Sequence, residues 1–295
     1  MSEGKIGIVT VLYNSEKVLQ DFFISLNTQT YKNFILYVID NNSPDNSLVC
    51  AQELAATSWF ETKFIENKDN FGVAKGNNQG IIKALDDGCD YILLSNNDIY
   101  LESETVKSLY EEHIKVNADM SIPKIFFYDN TNLWCAGGRF TFINNSAKQF
   151  GYNKPDSEKF SKNRIVNYAP TCFMLINKSV FYDIGLMDEK YFVYFDDTDF
   201  TKRAKLNGKK LFYLPVTFIK HKESVSTGKH SDFSFHYLYR NRIYYASKYL
   251  RLWKLFYVKE ILYNYTVRAL RMRKNQRQHK VISEALKEGY KISIK

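Results

Sequence analysis

The feature that most constrains this chain is a regular alternation, over its first 120 residues, of short β-branched apolar runs with longer helical patterns. Runs at 5–12, 34–39, 62–65 and 91–94 read as strands, and segments 16–28, 47–56, 73–85 and 103–116 read as helices. Within 16–28, Val18, Leu19, Phe22, Phe23 and Leu26 fall on one face at helical spacing. Strands that are apolar throughout, joined by crossover helices, predict a parallel sheet covered on both faces. Such sheets bind ligands beyond the carboxyl ends of their strands. There the sequence places Tyr13-Asn14, Asp40-Asn41-Asn42 and Ser95-Asn96-Asn97-Asp98. No GxGxxG follows the first strand, which argues against a dinucleotide-dependent oxidoreductase.

From 121 to 166 the pattern turns irregular, with Gly137-Gly138, Asn144-Asn145 and a polar stretch at 153–163, and reads as hairpins and a variable loop. A strand at 171–176 and a helix at 178–184 follow, then a helix at 199–206 and a strand at 210–214 that ends at Pro215. The small polar residues of 223–232 read as a mobile loop, and beyond Phe233 the chain is basic, aromatic and helical. An α/β domain over 1–232 with a helical extension over 233–295 is the expected division.

Charge sharpens that division. The net charge is +9, yet residues 236–295 carry 15 basic against 3 acidic side chains, and the rest carries 26 against 29. A near-neutral body with a basic tail suits anionic partners at the tail alone. Cys50, Cys89, Cys135 and Cys172 form no CxxC pair, which excludes a zinc cluster and a disulfide framework and suits a reducing compartment. The opening MSEGKIGIVTVLYN reads as a first strand rather than a signal peptide, and no run approaches 18 apolar residues, so a cytoplasmic protein is expected.

Several residues have chemistry to offer, each with an ordinary alternative. Asp40 can accept a hydrogen bond from a pyrimidine N3–H, or it can cap the turn DNNSPDNS. Gly72, Gly76 and Gly80 open a helix whose N–H groups suit an anion, or simply mark a turn. Asp98 offers hard oxygen to Mg²⁺ or Mn²⁺, or caps a turn. Asp196, Asp197 and Asp199 crowd three carboxylates behind an aromatic run. Asp199 reads as an N-cap or first-turn acid, whereas Asp196 and Asp197 fit that role less easily and suit proton chemistry. His221 ends the run LPVTFIKH, where it is either structural or a metal ligand.

Taken in order, TVLYN (10–14), VIDNNSPDNS (38–47), NFGVAKGNNQG (70–80), LLSNND (93–98), GLMDEKYFVYFDDTDFTKRAKLNG (185–208) and LFYLPVTFIKHKES (211–224) resemble family 2 glycosyltransferases over about 5–225. YRNR (239–242) is similar to a segment of the rhamnosyl- and galactofuranosyl-transferase-like branches. The resemblance implies a GT-A fold, with a mostly parallel central sheet flanked by helices. It implies that Asp40, Thr10, Tyr13 and Asn14 hold the base of a UDP- or dTDP-linked donor. Asn70, Gly72 and Asn78 would follow the nucleoside and diphosphate, with Asn96 and Asn97 beside them. Asp98 matches the last Asp of the family's DxD motif, with His221 as a second ligand of Mg²⁺ or Mn²⁺. Asp197 matches the catalytic base of an inverting displacement. Asp196 stands where Glu is common and Asn96 where the first Asp would be, which leaves the metal fewer protein charges. Asp196 and Arg240 are further candidates for acceptor or phosphate contact.

The acceptor implied is a hydroxyl of a glycan or lipid-diphosphate-linked glycan in bacterial surface polysaccharide synthesis. The tail RLWKLFYVKEILYNYTVRALRMRKNQRQHK mixes aromatic, aliphatic and basic residues as an interfacial helix on an anionic leaflet does, or packs on the domain. A sugar-1-phosphate nucleotidyltransferase would need glycine in VLYNSEKV, which has none. Nucleic-acid binding leaves both acidic clusters unexplained, so no nucleic-acid partner is expected.

Overall fold

The computed structural model describes residues 3–129, 131–141, 146–222, 231–268 and 276–294. Asn144-Asn145, most of the 223–232 loop and 269–275 of the tail lie outside the described residues. The chain runs β1 (Ile6–Leu12), α1 (Glu16–Asn27), β2 (Phe34–Asp40), α2 (Ser47–Ala56), β3 (Glu61–Glu66), α3 (Gly72–Asp86), β4 (Tyr91–Ser95), β5 (Ile99–Leu101) and α4 (Thr105–Lys115). It continues as β6 (Met120–Phe127), β7 (Asn132–Cys135), β8 (Gly138–Thr141), β9 (Ser146–Gln149), β10 (Lys154–Pro155), β11 (Arg164–Val166), β12 (Phe173–Asn177) and α5 (Lys178–Ile184). It closes with α6 (Asp196–Leu206), β13 (Leu211–His221), α7 (Asp232–Tyr249), α8 (Trp253–Tyr263) and α9 (Gln276–Ser293).

One large sheet is ordered β10-β7-β6-β12-β4-β1-β2-β3. The predicted parallel ladder is its β4-β1-β2-β3 half. Beyond β4 the sheet is mixed: β12 runs antiparallel to β4, and β6 pairs with β12, β7 and β13. Every residue of β2 and all but Val11 of β1 are buried, as strands covered on both faces must be. Helix α1 buries the predicted stripe of Val18, Leu19, Phe22, Phe23 and Leu26.

Three expectations are corrected. The stretch read as irregular begins with β6, a buried strand near the middle of the sheet. Pro123 hides it, because proline cannot donate to a ladder and argues against a central strand. The structure accommodates Pro123 where the register with β13 shifts, between the Ile122–Tyr213 and Lys124–Phe218 pairs. That same irregularity carries β13 through Pro215 to His221 as one strand rather than ending it there. Helix α6 begins at Asp196, three residues before the expected start, so all three acids lie in its first turn.

The C-terminal helices pack on the sheet domain and on each other. Tyr244 and Tyr245 of α7 cluster with Tyr191. Ile243 meets Ile282 and Leu286 of α9, and Trp253, Phe256, Tyr257 and Ile261 of α8 cover that cluster. Among the described residues no helix is long and apolar enough to cross a membrane.

Helix α3 lies unusually close to the sheet. A Cβ on Gly80 would stand 2.4 Å from Val9 Cγ1 and 2.7 Å from Ile39 Cδ1. Overpacking of this kind costs about 1–3 kcal/mol, more than the roughly 1 kcal/mol a non-glycine residue gains in a helix interior. Gly80→Leu is therefore expected to lower the urea midpoint by the equivalent of about 1 kcal/mol, measured by circular dichroism; an unchanged midpoint would refute the close seating of α3.

Candidate active site

A cavity of about 1410 Å³ opens where β1, β2 and β4 end. One wall is set by asparagines. Asn41 donates from Nδ2 to the Gly72 carbonyl at 3.0 Å, and Asn67 donates to Asn41 Oδ1 at 2.9 Å. The Gly72 N–H donates to Asn70 Oδ1 at 2.9 Å. Gly72 has φ +81°, and a Cβ there would meet the Phe192 carbonyl at 2.3 Å, so glycine is required. The next N–H, from Val73, donates to that carbonyl at 2.7 Å. The start of α3 is thus tied to the segment that leads into α6.

Across the cavity, Asn97 donates to the Val11 carbonyl at 2.8 Å, and the Asn96 N–H donates to the Cys172 carbonyl at 2.8 Å. These bonds fix the turn that presents Asp98. Residues Lys220 and His221 of β13 pair with Tyr100 and Ile99 of β5, and the Lys222 N–H donates to the Asp98 carbonyl at 2.8 Å. His221 Nε2 consequently lies 3.1 Å from Asp98 Oδ1 and 3.4 Å from Asn96 Nδ2. Asp98 Oδ1 is buried, and beyond this approach no hydrogen-bond partner meets it among the described residues. Burial, the largest influence on Asp98, favours its neutral form, but His221 and Asn96 together hold its carboxyl below the usual range. A hard oxygen and an imidazole nitrogen this close, with the oxygen otherwise unsatisfied, fit a shared divalent cation. Among the described residues no group of three or more His, Cys, Asp or Glu forms a complete metal cluster. Two protein ligands would leave such an ion open to oxygens of a bound molecule.

The acidic pair stands on a strained approach. Tyr194 and Phe195 both adopt left-handed φ, +63° and +67°. For non-glycine residues this costs about 1–3 kcal/mol each and persists only when neighbours enforce it. The enforcer is Asn241 of α7, fully buried, whose Nδ2 donates to the carbonyls of Val193 at 2.8 Å and Tyr194 at 2.9 Å. Asp199, also fully buried, accepts from Arg203 Nε at 2.9 Å and Tyr249 OH at 2.8 Å and pairs with Lys248 Nζ at 2.5 Å. Asp199 is satisfied structurally.

Asp196 and Asp197 face the cavity instead. Asp197 accepts from Tyr168 OH at 2.7 Å on Oδ2 and from Thr198 Oγ1 at 3.0 Å on Oδ1. Burial raises both carboxyls even at a helix N-terminus. Asp196 is pushed up to about 7 by burial and then by the charge of Asp197. Asp197 is also raised by burial, against the pull of the Tyr168 and Thr198 hydroxyls. The pair therefore carries one negative charge near neutrality, best held on Asp197, which has the two side-chain donors.

The structure brings Tyr13, Asn70, Gly72, Asn96, Asn97, Asp98, Asp196, Asp197 and His221 to one cavity. Thr10, Asn14, Asp40, Asn78 and Arg240 do not line that cavity. Thr10 is fully buried in β1, and Asn14 is exposed at φ +54°. Asp40 accepts from the Ser43 N–H at 3.2 Å, the turn-capping alternative. Asn78 donates to the Met187 carbonyl at 2.9 Å and accepts from the Met187 N–H at 2.9 Å. Arg240 donates to Glu288 at 2.7 Å and to the Lys190 carbonyl at 3.0 Å. Sequence reasoning missed Tyr168, Asn241 and Trp134. Trp134 packs its ring edge-on to His221, centroids 4.6 Å apart, with a buried Nε1 that lacks a partner. The one local hint was polar Asn241 inside YRNR on an otherwise aromatic helix.

Comparison with known proteins bears on the family and the fold. The family model "Glycosyl transferase family 2" matches residues 7–185. The chain is 25% identical over 244 residues to the low-salt glycan biosynthesis hexosyltransferase Agl10 of Haloferax volcanii, covering 80% of this chain and 74% of that protein. Among solved structures it superposes on GalNAc-T7 with UDP, GalNAc and Mn²⁺ at a TM-score of 0.68, with 13% identity, 96% of this chain and 55% of that one. It superposes on S. aureus TarS at 0.58, with 18% identity and 84% of this chain. The chain spans only 40% of TarS, so the longer protein has parts with no counterpart here.

The raised acid makes a prediction about stability. Folded Asp196 keeps its proton up to about pH 7, whereas in the unfolded chain an aspartate gives it up near pH ~4. The fold therefore holds the extra proton between those values, and its stability falls as pH rises through that window. Asp196→Asn should raise the melting temperature by a few degrees at about pH 8 and leave it unchanged at about pH 4. Equal effects at both values, read by differential scanning fluorimetry, would contradict the burial of the acid.

Proposed function

The chain belongs to glycosyl transferase family 2 and has the GT-A fold, and from that premise we propose an inverting transfer from a UDP- or dTDP-linked sugar to a hydroxyl of a glycan or lipid-diphosphate-linked glycan. The observation that carries the proposal is Asp197, a buried carboxylate held by Tyr168 and Thr198 in the same cavity as Asp98 and His221. A base so placed takes the proton of the acceptor hydroxyl as its oxygen attacks the anomeric carbon. The diphosphate leaves from the opposite face with the bonding pair, and the configuration inverts. Asp196, raised by burial and by the charge of its neighbour, leaves the negative charge on Asp197. Tyr168 orients that carboxylate, and Asn41, Asn70 and Gly72 shape the wall along which the donor lies.

Asp98 and His221 would hold Mg²⁺ or Mn²⁺ through Asp98 Oδ1 and His221 Nε2, with donor diphosphate oxygens filling the open positions. When bound, the ion offsets charge that develops on the leaving diphosphate. Support for a divalent ion and a uridine nucleotide comes from the GalNAc-T7 structure, which contains UDP and Mn²⁺. Support for a glycan acceptor comes from Agl10, a glycan biosynthesis hexosyltransferase. We assign catalysis to residues 1–232, with 233–295 as a helical extension that braces it, and place the reaction in the cytoplasm in the building of bacterial surface polysaccharide.

Asp197→Asn should lower kcat by about a thousandfold while UDP with Mn²⁺ still raises the melting temperature as in the parent protein. Turnover near the parent rate would remove Asp197 from the base role. Chelation with EDTA should abolish transfer, and added Mn²⁺ should restore it. Undiminished activity in EDTA would count against the role of Asp98 and His221.

A further inference from the structure

Helix α8 has two apolar faces, and only one is used by the fold. Trp253, Phe256, Tyr257 and Ile261 pack inward on the Ile243–Ile282–Leu286 cluster. Leu252, Leu255, Val258 and Leu262 are 65%, 64%, 49% and 57% exposed, with Tyr265 beyond the helix at 51%. Their spacing of three and four residues sets the last three leucine and valine positions on one stripe along the outer side. A solvent-facing stripe of this size, built from the largest aliphatic residues, is not an ordinary feature of a monomer surface.

The charges around it select the occupant. Arg251, Lys254 and Lys259 are exposed, helical spacing sets Lys254 and Lys259 on either flank of the stripe, and the one acid of α8, Glu260, points inward to Arg242 at 3.1 Å. Lys254 and Lys259 lie along aromatic rings of the helix, Nζ 6.0 Å from the Trp253 centroid and 5.5 Å from that of Phe256. Long cationic side chains flanking an exposed aliphatic stripe match a helix lying in the plane of an anionic bilayer. A second copy of this chain would bring the same cations face to face across the stripe. The helix also borders the cavity, because Lys259 and Tyr263 line it.

We propose that the outer face of α8 docks on an anionic membrane surface and holds the cavity mouth against the headgroup layer. On this reading, which rests on the transfer reaction proposed above, the acceptor hydroxyl belongs to the polar head of a membrane-embedded lipid. It enters from the bilayer side beside Lys259 and Tyr263, while the nucleotide donor enters from water.

The test is flotation of the full chain with vesicles of phosphatidylcholine alone or with roughly one-third phosphatidylglycerol. The parent protein should float with the anionic vesicles and stay behind with the neutral ones. Changing Leu255, Val258 and Leu262 together to Glu should weaken partitioning by roughly a hundredfold or more. Arg251→Glu with Lys254→Glu should weaken it by at least about tenfold. Both variants should keep the thermal stabilisation by UDP with Mn²⁺, which shows the fold and the donor site intact. Failure of the parent protein to float, or equal flotation of the aliphatic variant, would overturn the docking face. So would a dimer in sedimentation that the aliphatic variant abolishes, since a second copy would then be the occupant. None of these outcomes touches the Asp197 assignment, which fails only if Asp197→Asn retains turnover.

Discussion

The approach of His221 to Asp98 is the contact on which the rest of the molecule depends. It joins the end of the parallel half-sheet to the end of β13, the last strand of the mixed half. Burial works against the charge on Asp98, so the sheet holds this arrangement against a desolvation penalty that His221 and Asn96 offset. The holding forces are visible: the Lys222–Asp98 backbone bond, the β5–β13 pairing and the edge-on packing of Trp134 against the imidazole. Even the irregular middle of β13 serves this end, because it lets the strand pass Pro123 and Pro215 and still deliver His221 in register with Ile99.

A second tension lies opposite, in the first turn of α6. The helix N-terminus favours acids, yet burial of two adjacent carboxyls outweighs that help and leaves both raised. Tyr194 and Phe195 add backbone strain just before them. Stabilising contacts are supplied from outside the sheet domain: Asn241 bonds two successive carbonyls, and Lys248 and Tyr249 satisfy Asp199. Sites of this kind concentrate cost in a few residues and draw the offsetting contacts from a distant segment.

Much of this was legible in the sequence where the signal was local. Buried strands announce themselves by continuous apolar runs, so β1, β2 and β4 and the polar ends of β1 and β4 could be read directly. Asp98, Asp197 and His221 stood out because charged residues directly after such runs are conspicuous. Strand β6 was hidden by Pro123, whose tolerance depends on an irregularity in a partner some ninety residues later. Tyr168 and Trp134 were silent because tyrosine and tryptophan in an aromatic-rich chain carry no local mark of function; their roles come from side chains 29 and 87 positions away. Asp40 and Asn78 show the converse. Their motif positions are conspicuous, yet their hydrogen bonds here go to a turn and to Met187.

The clamp from α7 has a consequence for how the enzyme comes into being. Translation delivers the sheet, Asp98, His221 and the acidic pair before it delivers Asn241, Lys248 and Tyr249. A nascent chain halted near residue 230 would hold every group assigned to the chemistry but none of the α7 contacts that keep Tyr194 and Phe195 in their strained turn. The strained turn ahead of the acidic pair therefore gains its support only once α7 has been made.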